Sequence, residues 1–383
     1  MIAGFYIKDL TVLRYFIPLI KVMKRELKEN LEVKLFLDFH LSHKYNTLNN
    51  NANVKILQDV IANHVKKTME LTSGGENLTL YLSSDFKKND NPKIYVDALF
   101  VGSTLKSSEI FDLKNNTFFS YRKKIVIQHG FDYIGPAGGC RAACKDTIFI
   151  VNDELYSRDI TERIGTKASC IVTEHPVPYW TAKEQIDFLK SSFNLPNNKK
   201  VFVMYPESGY HNIVQDHVNF LIDSGYFVII KQRRKNQNIN SKILGLPKNK
   251  VLCVYDDIWY PSESIFFPMI CDFVVGYGTS SYVDFVKFNI PYIDFALPEY
   301  SKIKINYDKL GSSHLNNGLP YVKPIKNSNF YYSEEASDFK SIVNEIVKTD
   351  SPTLRAKREM QINKVCNSSK NTLISLMNEL EIV

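Results

Sequence analysis

The segment whose residue types bear most directly on chemistry is Asp272-Phe-Val-Val-Gly-Tyr-Gly-Thr-Ser-Ser281. An apolar, β-branched run leads into a loop containing Gly276 and Gly278. Thr279, Ser280 and Ser281 follow, and then a helical pattern carries Asp284 and ends at Phe288. Glycine allows a backbone to approach a ligand closely. A helix start offers unsatisfied N–H groups and partial positive charge. With two serine hydroxyls added, such a loop could hold a diphosphate without a metal. Ser and Thr are also the favoured N-cap residues, so the segment taken alone is equally a well-capped helix start.

Three further segments have the same strand-end placement. Ile125-Val-Ile-Gln-His129-Gly130 ends an apolar run on a histidine, whose near-neutral pKa suits proton transfer. A strand-end histidine bonded to backbone is the plainer alternative. Val201-Phe-Val-Met-Tyr-Pro206 runs into Glu207, Ser208, Gly209 and His211. Val228-Ile-Ile-Lys231 is followed by Gln232, Arg233, Arg234 and Lys235, a set of cations suited to a phosphate-bearing ligand or to a solvated loop. His40 and His43 lack a third ligand, and Asp256-Asp257 has no metal-site context, so no metal or cofactor is expected. No GxSxG, HExxH, Walker or GxGxxG motif occurs.

The elements that must position these residues alternate between strand and helix, as in a parallel-sheet α/β protein. In the first half, strands are expected at Ile2–Ile7, Val33–Phe39, Leu78–Leu82, Tyr95–Val101, Lys124–Gln128, Thr147–Val151 and Ser169–Thr173, with helices at Leu10–Glu29 and Val54–Leu71. Pro176, Pro178 and Pro196 then bracket a polar helix, Ala182–Phe193, which reads as a connector. The rhythm restarts with strands at Lys200–Tyr205, Phe227–Lys231, Val251–Tyr255, Asp272–Val275 and Pro291–Phe295. A helix at Ile213–Ser224 is stopped by Gly225, and helical patterns at Glu334–Lys348 and Thr353–Leu380 close the chain.

Composition agrees. The 383 residues are 44% hydrophobic and 23% charged, which excludes whole-chain disorder and gives room for two or three domains. The net charge of +7 is spread along the chain with acidic residues among the basic ones, so no nucleic-acid partner is expected. The six cysteines form no CxxC pair, which points to a reducing compartment. No leader pattern is visible, and the apolar stretch Thr11–Met23 contains Arg14, Lys21 and Pro18, too charged and short to span a bilayer. The expected location is cytoplasmic. Arg14, Lys21, Lys24, Arg25 and Lys28 near one apolar helix leave peripheral contact with the inner membrane face open.

The second-half pattern resembles the CDP-glycerol glycerophosphotransferase family, which builds teichoic-acid-type polymers on a GT-B fold. The segments that carry the resemblance are Cys271 through Phe285, Asn289-Ile-Pro291-Tyr-Ile-Asp294-Phe, Pro298-Glu-Tyr300 and the His129-Gly130 pair, within about residues 125–300. It departs from the family where a Lys-x-His-Pro segment is replaced by Lys231-Gln-Arg233-Arg234, and where a Pro-Thr-x-Arg loop is replaced by Pro206-Glu-Ser-Gly. Related GT-B sugar transferases of capsule and lipopolysaccharide pathways look similar.

The resemblance implies two Rossmann-like domains facing a cleft, with a C-terminal helix. Residues 1–178 would be the acceptor domain, 179–198 a linker, 199–350 the donor-nucleotide domain and 351–383 the closing helix. It makes His129 the general base, Ser280 and Ser281 donor-phosphate ligands, and places Lys231 near the same phosphates and Asp284 near the donor. The strand-end segments themselves add Gly278, Thr279, Ser208 and Gly209 as donor contacts, with Gly130, Glu207, His211 and Arg233 as further candidates. The implied activity is metal-independent transfer of a glycosyl or polyol-phosphate group from a CDP- or UDP-activated donor to a glycan or lipid-linked acceptor. Two alternatives stand beside it. One is a nucleotide-sugar 2-epimerase of the same fold, whose Arg-x-Thr-Glu-Arg-Pro-like segment is not found here. The other is a non-catalytic nucleotide- or glycan-binding protein.

Overall fold

A computed structural model describes residues 1–7, 12–38, 62–63, 65–66, 69–70, 77–82, 93–102, 118–127, 147–151, 157, 161, 169–173, 181–197, 199–204, 211–232, 246–247, 249–255, 263–277, 285, 288–295, 330–333, 335–349 and 352–380. The chain forms two compact units. One is Met1–Thr181 with Val365–Val383, and the other is Ala182–Asp257 with Pro261–Lys364.

The first unit holds a parallel sheet of β1 (Ile2–Ile7), β2 (Glu32–Leu37), β3 (Leu78–Leu82), β4 (Ile94–Gly102), β5 (Phe119–Ile127), β6 (Thr147–Val151) and β7 (Ser169–Val172). Their spatial order is β3-β2-β1-β4-β5-β6-β7. A parallel sheet is covered on both faces, which is why these strands read as nearly unbroken apolar runs. Phe5 and Ile7 face one cluster together with Phe16, Ile17 and Ile20 of α1 (Leu13–Leu27). Phe5 stacks on Phe100 at 4.6 Å and meets Phe16 edge-on at 5.2 Å. Tyr6, Phe36, Leu99, Val126 and Phe149 build the opposite face. Gly4 lies on that side, where an added Cβ would stand 2.9 Å from the Phe36 ring and 3.0 Å from Val96.

The second unit holds β8 (Lys200–Met204), β9 (Phe227–Gln232), β10 (Val251–Tyr255), β11 (Phe273–Gly276), β12 (Tyr292–Phe295) and β13 (Phe330–Ser333), all parallel, in the order β10-β9-β8-β11-β12-β13. The helix Ala182–Ser192, expected as a connector, is α2 of this unit. Just beyond its end, Phe193 packs edge-on against Phe267 of α4 (Glu263–Met269) at 5.3 Å. Phe267 in turn stacks on Phe202 of β8. The other sheet face packs on α3 (His211–Asp223) and α5 (Phe339–Thr349) through Val203, Ile230, Val275, Phe295, Val214, Val218 and Val343.

Helix α3 ends as the sequence reading requires. Gly225 takes φ +84°, and the Gly225 and Tyr226 amides donate to the Ile222 and Leu221 carbonyls at 3.0 Å each. That pair of bonds is the Schellman pattern. The last helix, α6 (Pro352–Glu379), runs from one unit into the other. Arg358 anchors it in the second unit, while Leu373, Leu376 and the following Leu380 join the core of the first. Among the described residues, no helix is long and apolar enough to cross a membrane.

Candidate functional site at the carboxyl edge of the second sheet

In open parallel sheets, ligands bind beyond the carboxyl ends of strands where the strand order reverses. In the second sheet the chain steps from β8 outward to β9 and β10, then returns to β11 on the other side of β8. The reversal therefore lies between β8, which ends at Met204, and β11, which ends at Gly276. The segments that follow these two ends contain Glu207, Ser208 and Gly209 on one side, and Gly278, Thr279, Ser280, Ser281 and Asp284 on the other. All eight lie outside the described residues, as do Arg233, His129 and Gly130. The strands that precede them are described, and Val203 of β8 pairs in register with Val275 of β11.

Lys231 is fully described in position. It is the second-last residue of β9, paired in register with Met204, and only 5% exposed. Asp294 of β12 pairs in register with Gly276 and is 2% exposed. Side chains alternate along a strand. Ile230 and Ile293 face the α3–α5 core, so Lys231 and Asp294 both face the other side, towards α2 and α4. The row β9-β8-β11-β12 thus carries a buried cation and a buried carboxylate, about 14 Å apart by three strand spacings. Burial of a charge requires partners, and neither side chain lacks them.

On the opposite face, Tyr277 continues directly from β11 and is 2% exposed. Its hydroxyl lies 2.9 Å from Nδ1 of His217 on α3. The His217 Nε2 faces the Ala336 carbonyl at 3.4 Å. Phe339 stacks on the imidazole at 4.0 Å, and Phe295 lies against it at 4.8 Å. Burial lowers the His217 pKa from 6.5 to about 4, a shift partly offset by the Ala336 bond and by neighbouring Asp216. The ring is therefore neutral near pH 7. Burial also pushes the Tyr277 hydroxyl well above its usual range. A carbonyl only accepts, so Nε2 carries the proton and the Tyr277 O–H donates to Nδ1. The sequence reading passed over both residues. Tyr277 stood inside a recognised loop without a role, and a single histidine on an amphipathic helix carries no signal of its own.

In the first sheet the reversal lies between β1 and β4. His129 comes two residues after the end of β5, one strand further on. Beside the reversal itself, the Tyr6 hydroxyl donates to Asp38 Oδ2 at 2.5 Å, from the ends of β1 and β2. That polar pair was not singled out from the sequence. His211 is the first residue of α3. Among the described residues, no group of three or more His, Cys, Asp or Glu gathers at a spacing that could hold a metal ion.

No protein-family model matches the chain, and no curated protein matches it in sequence. Solved structures do match. S. aureus MnaA with UDP is 11% identical, covering 100% of this chain and 97% of its own, at TM-score 0.54. The UDP-GlcNAc 2-epimerase of Neisseria meningitidis bound to UDP-GlcNAc is 10% identical, covering 98% and 99%, at TM-score 0.51. A glycosyltransferase from Rickettsia africae is 12% identical over 100% and 98%, at TM-score 0.45. These likenesses are of fold. The chain has the GT-B architecture of two Rossmann-like α/β units with a C-terminal helix, the fold it shares with the MnaA and 2-epimerase structures.

Proposed function

We propose that the chain is a metal-independent GT-B transferase, moving a glycosyl or polyol-phosphate group from a UDP- or CDP-activated donor to a cell-surface glycan or lipid-linked acceptor. The observation that carries this reading is the strand order of the second sheet. Its reversal falls between the two strands whose following segments hold Ser208, Gly209 and Gly278–Ser281. Backbone N–H groups and hydroxyls there would stabilise the leaving group as charge develops on it, a nucleoside diphosphate when a glycosyl group moves and CMP when a polyol phosphate moves from a CDP-activated donor. Lys231, in the adjacent strand, would add a cation. His129 would take the acceptor hydroxyl proton as general base. Asp284, Glu207, His211, Arg233 and Gly130 remain further candidates around the donor. The protein would work in the cytoplasm, with peripheral contact at the inner membrane face where the acceptor is lipid-linked.

The 2-epimerase reading is kept by the end-to-end match to a UDP-GlcNAc 2-epimerase. The two differ in what becomes of the donor. Calorimetry with UDP, CDP and CMP, followed by NMR of UDP- and CDP-activated donors incubated with the protein, separates them. Donor cleavage to the free nucleotide supports the transferase, and inversion at the sugar C2 supports the epimerase. Binding without turnover leaves a nucleotide-binding protein, and absence of binding by every nucleotide overturns the site. His129→Ala is expected to keep nucleotide binding and lose turnover.

A further inference from the structure

We propose that His217 is a positioning residue for the donor segment, holding Tyr277, the residue from which Gly278–Ser281 departs, through the hydrogen bond between the Tyr277 hydroxyl and its Nδ1. The inference rests on the reading of Gly278–Ser281 as the diphosphate-binding segment.

The geometry fixes every part of the link. Phe339 at 4.0 Å and Phe295 at 4.8 Å hold the imidazole plane between α5 and β12. The Ala336 carbonyl selects which ring nitrogen carries the proton. The remaining nitrogen can then only accept, and it faces the Tyr277 hydroxyl at 2.9 Å. Tyr277 is itself packed against Phe295 at 5.9 Å, so a phenylalanine would fill the same core. What the hydroxyl adds is a directional tie from α3 to the first residue beyond β11, 60 positions along the chain. Preorganised N–H donors depend on such ties, because misplacement by about 1 Å is enough to lose on the order of a hundredfold in rate.

Packing and hydrogen bonding at this position are separable by substitution. His217→Phe keeps the ring and removes the acceptor. His217→Asn loses ring volume but keeps an acceptor oxygen close to where Nδ1 stands. Tyr277→Phe removes the donor alone. Each variant is compared with wild type by melting temperature and by calorimetric affinity for UDP and for UMP, or for CDP and CMP where the wild type prefers cytidine. Positioning predicts that His217→Phe and Tyr277→Phe each weaken diphosphate binding about tenfold, the scale of one net hydrogen bond, with monophosphate binding unchanged. The double variant should lose no more than either single one. His217→Asn should retain diphosphate affinity even where it melts lower. A purely structural role predicts the reverse order, with Asn worst and Phe harmless, and that result overturns the proposal. Wild-type protein that binds no nucleotide overturns the donor-segment reading itself, and the positioning role falls with it. Binding by the wild type that all three variants match overturns the positioning role alone.

Discussion

Arg358 Nη1 donates to the Cys271 carbonyl at 2.7 Å, across 87 positions of the chain. Its other terminal nitrogen reaches the Asp272 carbonyl at 3.4 Å, and the Asp272 carboxylate accepts from the Lys200 amide at 2.8 Å. The last helix thereby holds the entry to β11 and, through Asp272, the start of β8. These are the two strands that flank the order reversal. Arg358→Ala would leave buried carbonyls unmatched. The expected loss is about 2–3 kcal/mol of stability in the second unit, read by urea titration. Arg358→Lys, which offers a single donor point in place of the fork, should recover only part of it. A variant as stable as wild type would show that the contacts are incidental.

Gly225 ends α3 at φ +84°, and an added Cβ there would meet nothing within 4 Å. The position thus isolates backbone conformation from packing. Gly225→Ala should lower stability by about 1 kcal/mol, the usual penalty for a side chain in the left-handed region. Gly225→Asn should cost less, because asparagine tolerates that region better. A stabilising Gly225→Ala would contradict the observed cap.

His217 makes stability depend on acid. Its folded pKa is lowered to about 4 by burial, while the unfolded chain takes up the proton near 6.5. Between these values the unfolded state binds more protons, so stability falls as pH drops from about 6.5 to 4 and then levels off. The difference corresponds to about 3 kcal/mol at most. Asp216, beside His217 on α3, pulls in the opposite direction, and Asp223 and Lys340 line the same groove without touching the sign of the effect. Chemical denaturation from pH 7.5 to 4 should show this component in wild type and lack it in His217→Phe. Equal acid slopes would contradict the neutral, buried imidazole.

Strand identity was legible wherever a β-branched run is bounded by polar residues. Leu78–Leu82, Thr147–Val151 and Val251–Tyr255 form strands with the expected bounds. β5 begins at Phe119 rather than Lys124, because Arg122 and Lys123 read as solvent-facing. Arg122 is indeed exposed, and it also donates to the Leu380 carbonyl at 2.6 Å, a partner 258 positions away. α4 was missed because it has seven residues and includes Pro268. β13 was missed because four residues, Phe330–Ser333, carry too little periodicity and acquire strand form by pairing with β12. The glycine and serine segments could be singled out as candidates because the residue types suited to close phosphate approach are local in sequence. His217 and Asp294 could not, since their significance comes from Tyr277 and Gly276 through the fold.

Lys231 offers the most direct test of where the donor charge sits. It is buried in the register row that reaches Gly276, and it stands on the α2–α4 face rather than the His217 face. Hydrogen bonds to charged groups contribute about 1.5–3 kcal/mol, so loss of a phosphate contact corresponds to roughly 10- to 100-fold in affinity. Lys231→Met keeps the length and apolar bulk of the stem and removes the charge. Its expected effect is a drop of that size in UDP or CDP affinity, with the monophosphate less affected and the melting temperature within a few degrees of wild type. The lost affinity should also flatten the salt dependence of binding, since the removed interaction is ionic. An unchanged diphosphate affinity would assign Lys231 to the folding of the sheet edge and leave the donor charge to the cations beyond β9.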